Sequence, residues 1–395
     1  MHKYLSNLAL TLVFVFLVSL TFIQGQKETK KERTDLQDIH VNISEDNGAY
    51  DLKGDVTDFS IVKLETTKAC LLDRIKKICY KNDQYYILDY KCEAIYIFSK
   101  EGHFLSKLYN RGHAPNQYVR INSFVVTDDG SIWINDQVSG RLIGYNKQFE
   151  PVFYHEERML SSDMILIDSM IYHGTNWRFS LDGNYQLVSI NLQTKEKGHY
   201  IPCEQMNPEM GLVGKMRQFA SMGDSSALFM YSYDNKLYEI KGNEVKPKYR
   251  YTFSDRYEDI PLTHQELMNN PEEKIRGIQA ISQTEKSVLI HYADGTKLVL
   301  AIYNKKDGSC KVFPTLMTHS ELGNLFISVP TITPDQHILE VYYPSTILEY
   351  PEYFCDFNKI KDAEYRKTVE KIVSSVGSED NPVIVKLKIK NDSSF

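Results

Sequence analysis

Cysteine is scarce: six residues in a chain of 395, with no CxxC pair and none before Cys70. That scarcity excludes a disulfide-stapled scaffold and a short-spaced structural zinc site, and it leaves no N-terminal cysteine to carry a lipid. Isolated thiols are therefore expected at Cys70, Cys79, Cys92, Cys203, Cys310 and Cys355. No charge sign dominates either. The chain has 46 Lys+Arg against 52 Asp+Glu, a formal net charge of −6 and a pI near 6.0, so no global basic field draws nucleic acid or an anionic membrane. Glycine-rich phosphate loops, HExxH, GxSxG and EF-hand patterns are all missing. With 42% hydrophobic and 25% charged residues, a disordered tail, a collagen-like repeat and a multi-span membrane protein are excluded.

What is present begins with residues 1–25, MHKYLSNLALTLVFVFLVSLTFIQG. Lys3 supplies a positive start and Leu8 to Ile23 a mostly apolar run. As a helix that run is about 24 Å long, short of the roughly 30 Å hydrocarbon core. A polar stretch from Gln26 to Arg33 follows at once. This is the form of an export signal with cleavage near Gly25, and an uncleaved anchor is the alternative. The expectation is a periplasmic or secreted monomer without lipid and without a membrane span once the signal is removed. Residues 26–56 read as a polar N-terminal arm, a tether or a loosely docked segment.

From Phe59 onward, short runs rich in Ile, Val, Tyr and Phe alternate with Asp, Gly, Asn and Lys clusters, as in FSIVKL (59–64), QYYILD (84–89), AIYIFS (94–99) and SIWIND (131–136). This is strand composition with turn punctuation. A shift of 47 residues lays YYILDYKCEAIYIFSKEG on IWINDQVSGRLIGYNKQF, placing Asp89 on Asp136 and Ile95 on Leu142. Weaker copies at 170–198, 228–245, 288–308 and 326–343 bring the units to six. A repeat of this length with several short strands is the mark of propeller blades, which must stack because one blade cannot bury both its faces. A β-sandwich with an accidental duplication is the alternative, but it needs far fewer strands than this chain offers. The predicted fold is all-β: one six-bladed β-propeller over 57–391. The strand FSIVKL belongs to no early unit and the last unit is short, so the early strand is expected to close the ring as the outer edge of the C-terminal blade, beside NPVIVKLKIK (381–390). Two helical segments interrupt the pattern: PLTHQELMNNPEEKIRGI (261–278), with Thr263 and Glu266 spaced as a capping box, and an amphipathic insertion in the last blade at about 358–377.

IVKLETTKACLLDRIKKICY (61–80), YILDYKCEAIYIFSKEGHFLSKLYNRGHAPNQY (86–118) and NPVIVKLK (381–388) resemble the exported six-bladed propellers of Bacteroides-type bacteria, a group with NHL-like repeats. The resemblance runs from about Asp58 to Lys390 and implies the same fold, without an established activity. The family's G-x-GPGEY turn corresponds here to Gly112, His113, Ala114, Pro115, Asn116, Gln117 and Tyr118, so alanine replaces a glycine and Gln117 the acidic residue.

Chemistry is harder to find. Thr127-Asp128-Asp129-Gly130 reads as a β-turn and not as a calcium loop. Asp89 and Asp136 hold the same place at a strand end, where a carboxylate accepts turn N–H groups. His173 and His291 follow apolar strand runs in separate units and would have to converge on the channel to hold a metal. Tyr90, Arg111, His113, Arg120, Arg141, His173, Trp177 and Arg178 are placed in inter-strand loops, where rings, guanidinium groups and imidazoles suit a ligand. The reading is a non-enzymatic binding propeller for a glycan, peptide or protein partner, with no cofactor. The alternative is a metal-dependent hydrolase or lyase using calcium or zinc in the central channel.

Overall fold

A computed structural model describes residues 36–91, 93–136, 138–155, 161–177, 183–203, 217–254, 275–294, 297–313, 317–323, 325–327, 331–354 and 356–390. The compact body begins at Asp38. Three N-terminal strands come first: β1 (Gln37–Val41), β2 (Tyr50–Asp51) and β3 (Val56–Lys63). Blade one is β4 (Ile75–Lys81), β5 (Gln84–Asp89), β6 (Ile95–Ser99) and β7 (Phe104–Leu108). Blade two is β8 (Ile121–Val126), β9 (Ile132–Asp136), β10 (Leu142–Tyr145) and β11 (Pro151–His155). Blade three is β12 (Asp163–Ile167), β13 (Met170–Gly174), β14 (Tyr185–Asn191) and β15 (Lys197–Pro202). Blade four is β16 (Phe219–Met222), β17 (Ser226–Phe229), β18 (Lys236–Lys241) and β19 (Glu244–Phe253), with β1 added at its outer edge. Blade five is β20 (Ile275–Gln283), β21 (Ser287–Asp294), β22 (Lys297–Asn304) and β23 (Cys310–Phe313). A small sheet of β2, β24 (Met317–His319) and β25 (Leu325–Ile327) follows. Blade six is β26 (Thr331–Ile332), β27 (His337–Tyr342), β28 (Val383–Ile389) and, at its outer edge, β3.

The ring thus closes as the sequence predicts, with β3 hydrogen-bonded along β28 from Val383↔Lys63 to Lys388↔Asp58. The core confirms six interfaces. Buried side chains fall into six apolar clusters, one between each pair of neighbouring blades. Side chains alternate along a strand, so a blade buried on both faces splits its residues between two clusters. Tyr85 and Ile87 pack toward blade six, while Tyr86 and Leu88 pack toward blade two. That is why QYYILD reads as an unbroken apolar run. The repeat also explains one of its own departures. Gly144 stands where blade one has Ile97, because the Trp133 ring covers it and a Cβ there would lie 2.8 Å from that ring.

The helical insertion lies between β27 and β28. It starts earlier than expected, with α1 (Pro344–Glu349) and α2 (Pro351–Phe354), before α3 (Ala363–Ser375). The Asp362 carboxylate caps α3 by accepting the Tyr365 N–H at 2.7 Å. Tyr365 packs edge-on against Phe59 of β3 at 4.5 Å, and Val369, Ile360 and Phe354 are fully buried in the same cluster. The other expected helix falls mostly outside the described residues, as do Thr263 and Glu266. Its last four residues, 275–278, are strand instead, since they form the innermost strand of blade five and the sheet overrides local propensity.

The N-terminal arm is not loosely docked from residue 38 on. Arg250 clasps Asp38 with two hydrogen bonds (2.7 and 3.1 Å), and Ile39 and Val41 are buried against blade four. Asn47 binds the Val312 carbonyl of blade five through both its backbone N–H and its amide. Tyr50 then meets Phe313, and the chain enters β3 of blade six. One strap therefore crosses blades four, five and six.

Candidate binding face and central channel

Strand one of each blade lines the axis. In blades one and two the register slips by one residue after the first pair, Ile75↔Asp89 and Ile121↔Asp136. Such a bulge re-aims the next side chain. It turns Lys77 and Ser123 inward. The Lys77 ammonium donates to Ser123 Oγ (2.8 Å), the Met164 carbonyl (2.9 Å) and Asp163 Oδ1 (3.0 Å), and the Ser123 hydroxyl donates to the same carboxylate. Across the axis, the Arg217 guanidinium donates to Ser282 Oγ (2.6 Å) and Thr331 Oγ1 (3.2 Å). Among the described residues each of the six blades contributes one side chain to this polar belt, and blade three adds the Met164 carbonyl. Burial would raise the Asp163 pKa, but the Lys77 charge and the hydrogen bonds outweigh it and the net shift is downward. Burial lowers Arg217 to about 10, against the opposing pull of Asp163 and Glu340.

A calcium or zinc ion needs several carboxylate, imidazole or thiolate donors facing one point. The belt offers an ammonium and a guanidinium with the Asp163 carboxylate, Glu340 acting on Arg217 besides, and among the described residues no three His, Cys, Asp or Glu side chains converge. The donor set of the channel does not fit such an ion.

His173 needs correction: it lies in β13, not in a loop, and is 1% exposed. It faces Met164 and Val188 across the sheet because β13 continues to Gly174. Among the described residues neither of its ring nitrogens has a hydrogen-bond partner. His291 is equally buried in β21, between Ala280 and Leu300. Burial holds both imidazoles neutral, pushing their pKa down to about 3, with Lys77 beside His173 and Arg217 beside His291 acting the same way. Among the described residues neither joins a group of three metal-binding side chains.

Connections from strand two to strand three, and from each blade to the next, emerge at one end of the ring. At that end the Tyr90 ring is 46% exposed and braced by the Arg74 guanidinium, 4.3 Å from its centre. The Tyr90 N–H donates to the Arg74 carbonyl, and the Tyr90 carbonyl accepts from Arg120 at 3.4 Å. Arg111 pairs with Glu93 at 2.6 Å. Arg120 is exposed, and its backbone N–H is held by Asp136 at 3.1 Å, just as the Asp73 N–H is held by Asp89 at 3.2 Å. The two repeated aspartates thus fix the entry into strand one of their blades. His113 is exposed on a turn closed by its own members: the Gly112 N–H donates to the Tyr118 carbonyl, the Gln117 amide accepts from Ala114, and the buried Tyr118 hydroxyl donates to the Glu93 carbonyl.

Other candidates serve packing. Arg141 lies over the Tyr154 ring at 5.5 Å. Trp177 donates from its indole to the Ser232 carbonyl (2.8 Å) and meets Tyr231 edge-on, tying blade three to blade four. Arg178 lies outside the described residues. The Thr127–Gly130 segment is a hairpin turn in which the Asp129 carboxylate accepts from Thr127 and Ser131. Cys70, Cys79, Cys203 and Cys310 are free thiols, and Cys92 and Cys355 lie outside the described residues.

Sequence reasoning missed Arg74 and the breadth of the exposed apolar set. Leu71, Tyr109, Val138, Leu348 and Tyr350 are all exposed on connections leaving this same end, in blades six, one and two. Nothing in their local pattern separates them from core residues.

The fold and site define a class: a closed six-bladed propeller with a polar plug on its axis and an arginine–tyrosine surface on its loop end. The chain belongs to the family described as Domain of unknown function (DUF4934), which matches residues 36–388. None of the curated proteins matches it. Among solved structures it is similar to a Bacteroides fragilis protein described as exported, at 15% identity and a TM-score of 0.63, covering 90% of this chain and 99% of that one. A member of the DUF4221 family from Bacteroides vulgatus gives 12% identity and a TM-score of 0.48, covering 85% and 97%. Virginiamycin B lyase from Staphylococcus aureus, in a catalytically inactive form with quinupristin, gives 13% and 0.41, covering 71% and 81%. At these identities the likeness speaks for the propeller fold alone.

Proposed function

We propose that this chain is an exported, non-enzymatic binding propeller that holds a protein or peptide partner on its loop end. The observation that carries this reading is the Tyr90 ring, exposed on one side and braced on the other by Arg74, within a broad set that includes Tyr109, Leu71 and Val138. Tyrosine and arginine dominate the energetics of protein interfaces, because rigid rings and planar guanidinium groups lose little entropy on contact. The set spreads over three blades as a surface, which suits a macromolecule better than a small glycan. A metal-dependent lyase or hydrolase lacks support in the donor set of the axis. The 47-residue offset supports an NHL-like kinship of the repeats.

The interface is tested by site-specific photo-crosslinking in host envelopes. A Tyr90→p-benzoylphenylalanine variant is expected to give a discrete adduct that disappears when Arg74 and Arg120 are both changed to alanine. A control at Val152, exposed on the outer strand β11, should give none. Identical adduct patterns from the two positions would overturn the reading.

Export rests on the charged start and apolar run of residues 1–25. Among the described residues no helix is long and apolar enough to cross a membrane. The mass of the mature protein from its host is expected to correspond to loss of about 25 residues without added lipid; an intact N-terminus would contradict export with cleavage.

A further inference from the structure

On the opposite end of the ring, where the hairpins between strands one and two and between strands three and four emerge, a groove of about 340 Å³ separates blades one and two. Its walls come from Asn82, Gln84, Tyr86, Leu105, Ser106 and Phe149, among others. That volume is at the lower end of small-ligand sites. The Phe149 ring is half-seated in the core between these blades, and Leu105, also in the wall, is 48% exposed. Gly130 keeps the wall low, with only the Lys147 Cβ and the Tyr86 hydroxyl within 4 Å of where a Cβ would stand.

The polar groups of the groove are half-used. Gln84 accepts from the Tyr86 hydroxyl through Oε1 at 2.9 Å, and its amide nitrogen has no partner within the described protein. Asn82 donates from Nδ2 to the Asp128 carbonyl at 2.9 Å, and its Oδ1 is open. The Ser106 hydroxyl has no partner among the described residues. Among the lining residues only Asp129 and Lys147 carry charge, and their signs are opposite. Beyond the lining, Asp83 pairs with Lys100 and Lys81 is shared by Asp128 and Asp224, while the Asp129 carboxylate is committed to Thr127 and Ser131.

We propose that this groove binds a neutral saccharide of about one or two rings, a size set by its volume. An apolar ring wall takes the C–H face of a sugar, and adjacent amide and hydroxyl groups with free donor and acceptor sites meet its hydroxyls. A charged ligand would find no net counter-charge in the lining, which holds one acidic and one basic residue. The site lies on the end opposite Tyr90 and is independent of it.

Saturation-transfer NMR with maltose, cellobiose and N,N′-diacetylchitobiose, each at roughly millimolar concentration, tests this on the full mature chain. At least one disaccharide is expected to show transfer from wild type. Phe149→Ala should weaken it by about tenfold or more, the equivalent of one good contact. Gln84→Glu keeps the Tyr86 acceptor, so it preserves the fold while removing the open N–H donors, and it should weaken binding similarly. Tyr90→Ala should leave it unchanged. Absence of transfer from all three sugars, or transfer undiminished in Gln84→Glu with an unchanged melting temperature, would overturn the proposal. Loss in Tyr90→Ala instead would move the sugar to the loop end.

Discussion

Replacing Asn381 by alanine is expected to lower stability by about 2–4 kcal/mol, since it strands one buried and two half-buried backbone groups at the ring closure. Asn381 is fully buried. Its amide nitrogen donates to the Glu65 carbonyl (2.7 Å) and the Cys70 carbonyl (2.8 Å), and its Oδ1 accepts the Leu72 N–H at 2.8 Å. Its backbone N–H reaches Thr66 Oγ1 at 2.9 Å. One side chain thus clasps the whole connection from blade six to blade one. A loss of that size is a large share of the roughly 5–15 kcal/mol of a typical domain. Because every blade depends on two neighbours, unfolding should stay a single transition at a lower urea midpoint. Removing residues 381–395 takes away β28, leaves β3 unpaired and leaves β27 with only its two-residue pairing to β26, so no folded ring is expected. A truncated chain with the wild-type melting temperature would refute closure as the source of this cooperativity.

Asp163→Ala is the second large effect. It leaves the Lys77 ammonium in the channel without its counter-charge. Breaking a fully buried pair costs about 3–5 kcal/mol, and here about 2–4 is expected because the two side chains keep 26% and 19% of their surface. The double change Lys77→Met with Asp163→Leu should recover most of the loss, since no charge is then left unpaired. If the single and double variants melt alike, the belt does not hold the axis. The pH dependence follows from direction. The Asp163 pKa is depressed, so its contribution is present above the unfolded carboxylate value of about 3.9 and is lost as pH falls below it. His173 and His291 act earlier. Their pKa is lowered to about 3, so the unfolded chain takes up protons first, and stability is full above about 6.5 and falls as pH drops toward 3. Wild type should show both phases, and Asp163→Ala an unchanged histidine phase with a smaller acid phase, since other carboxylates such as Asp335 and Asp380 are also held low.

The residues behind these effects differ in how far their sequence context announces them. Asp89 and Asp136 were visible as a repeat position with a turn-capping role, since a short carboxylate at a strand end has few other duties. Lys77 was not. In IKKICY it looks like a solvated lysine beside Lys76, and only a bulge in β4 aims it at the axis. The arm shows the same contrast. Ile39 and Val41 stand in a polar stretch too short to signal a strand, and they become buried only because the β19 edge of blade four is there to receive them. Tyr90 and Trp177 both follow the second strand of a blade, yet Tyr90 stays exposed whereas Trp177 folds back on the Ser232 carbonyl.

Period-two runs, turn residues and a 47-residue offset are local or repeated, so composition and spacing carried the all-β class, the six blades and the closing role of β3. Which side chains face the axis, a neighbouring blade or solvent depends on bulges, on alternation between two buried faces and on segments more than 200 residues apart, as in the Asp38–Arg250 contact. Those arrangements are settled by packing around the closed ring, and no window of sequence contains them.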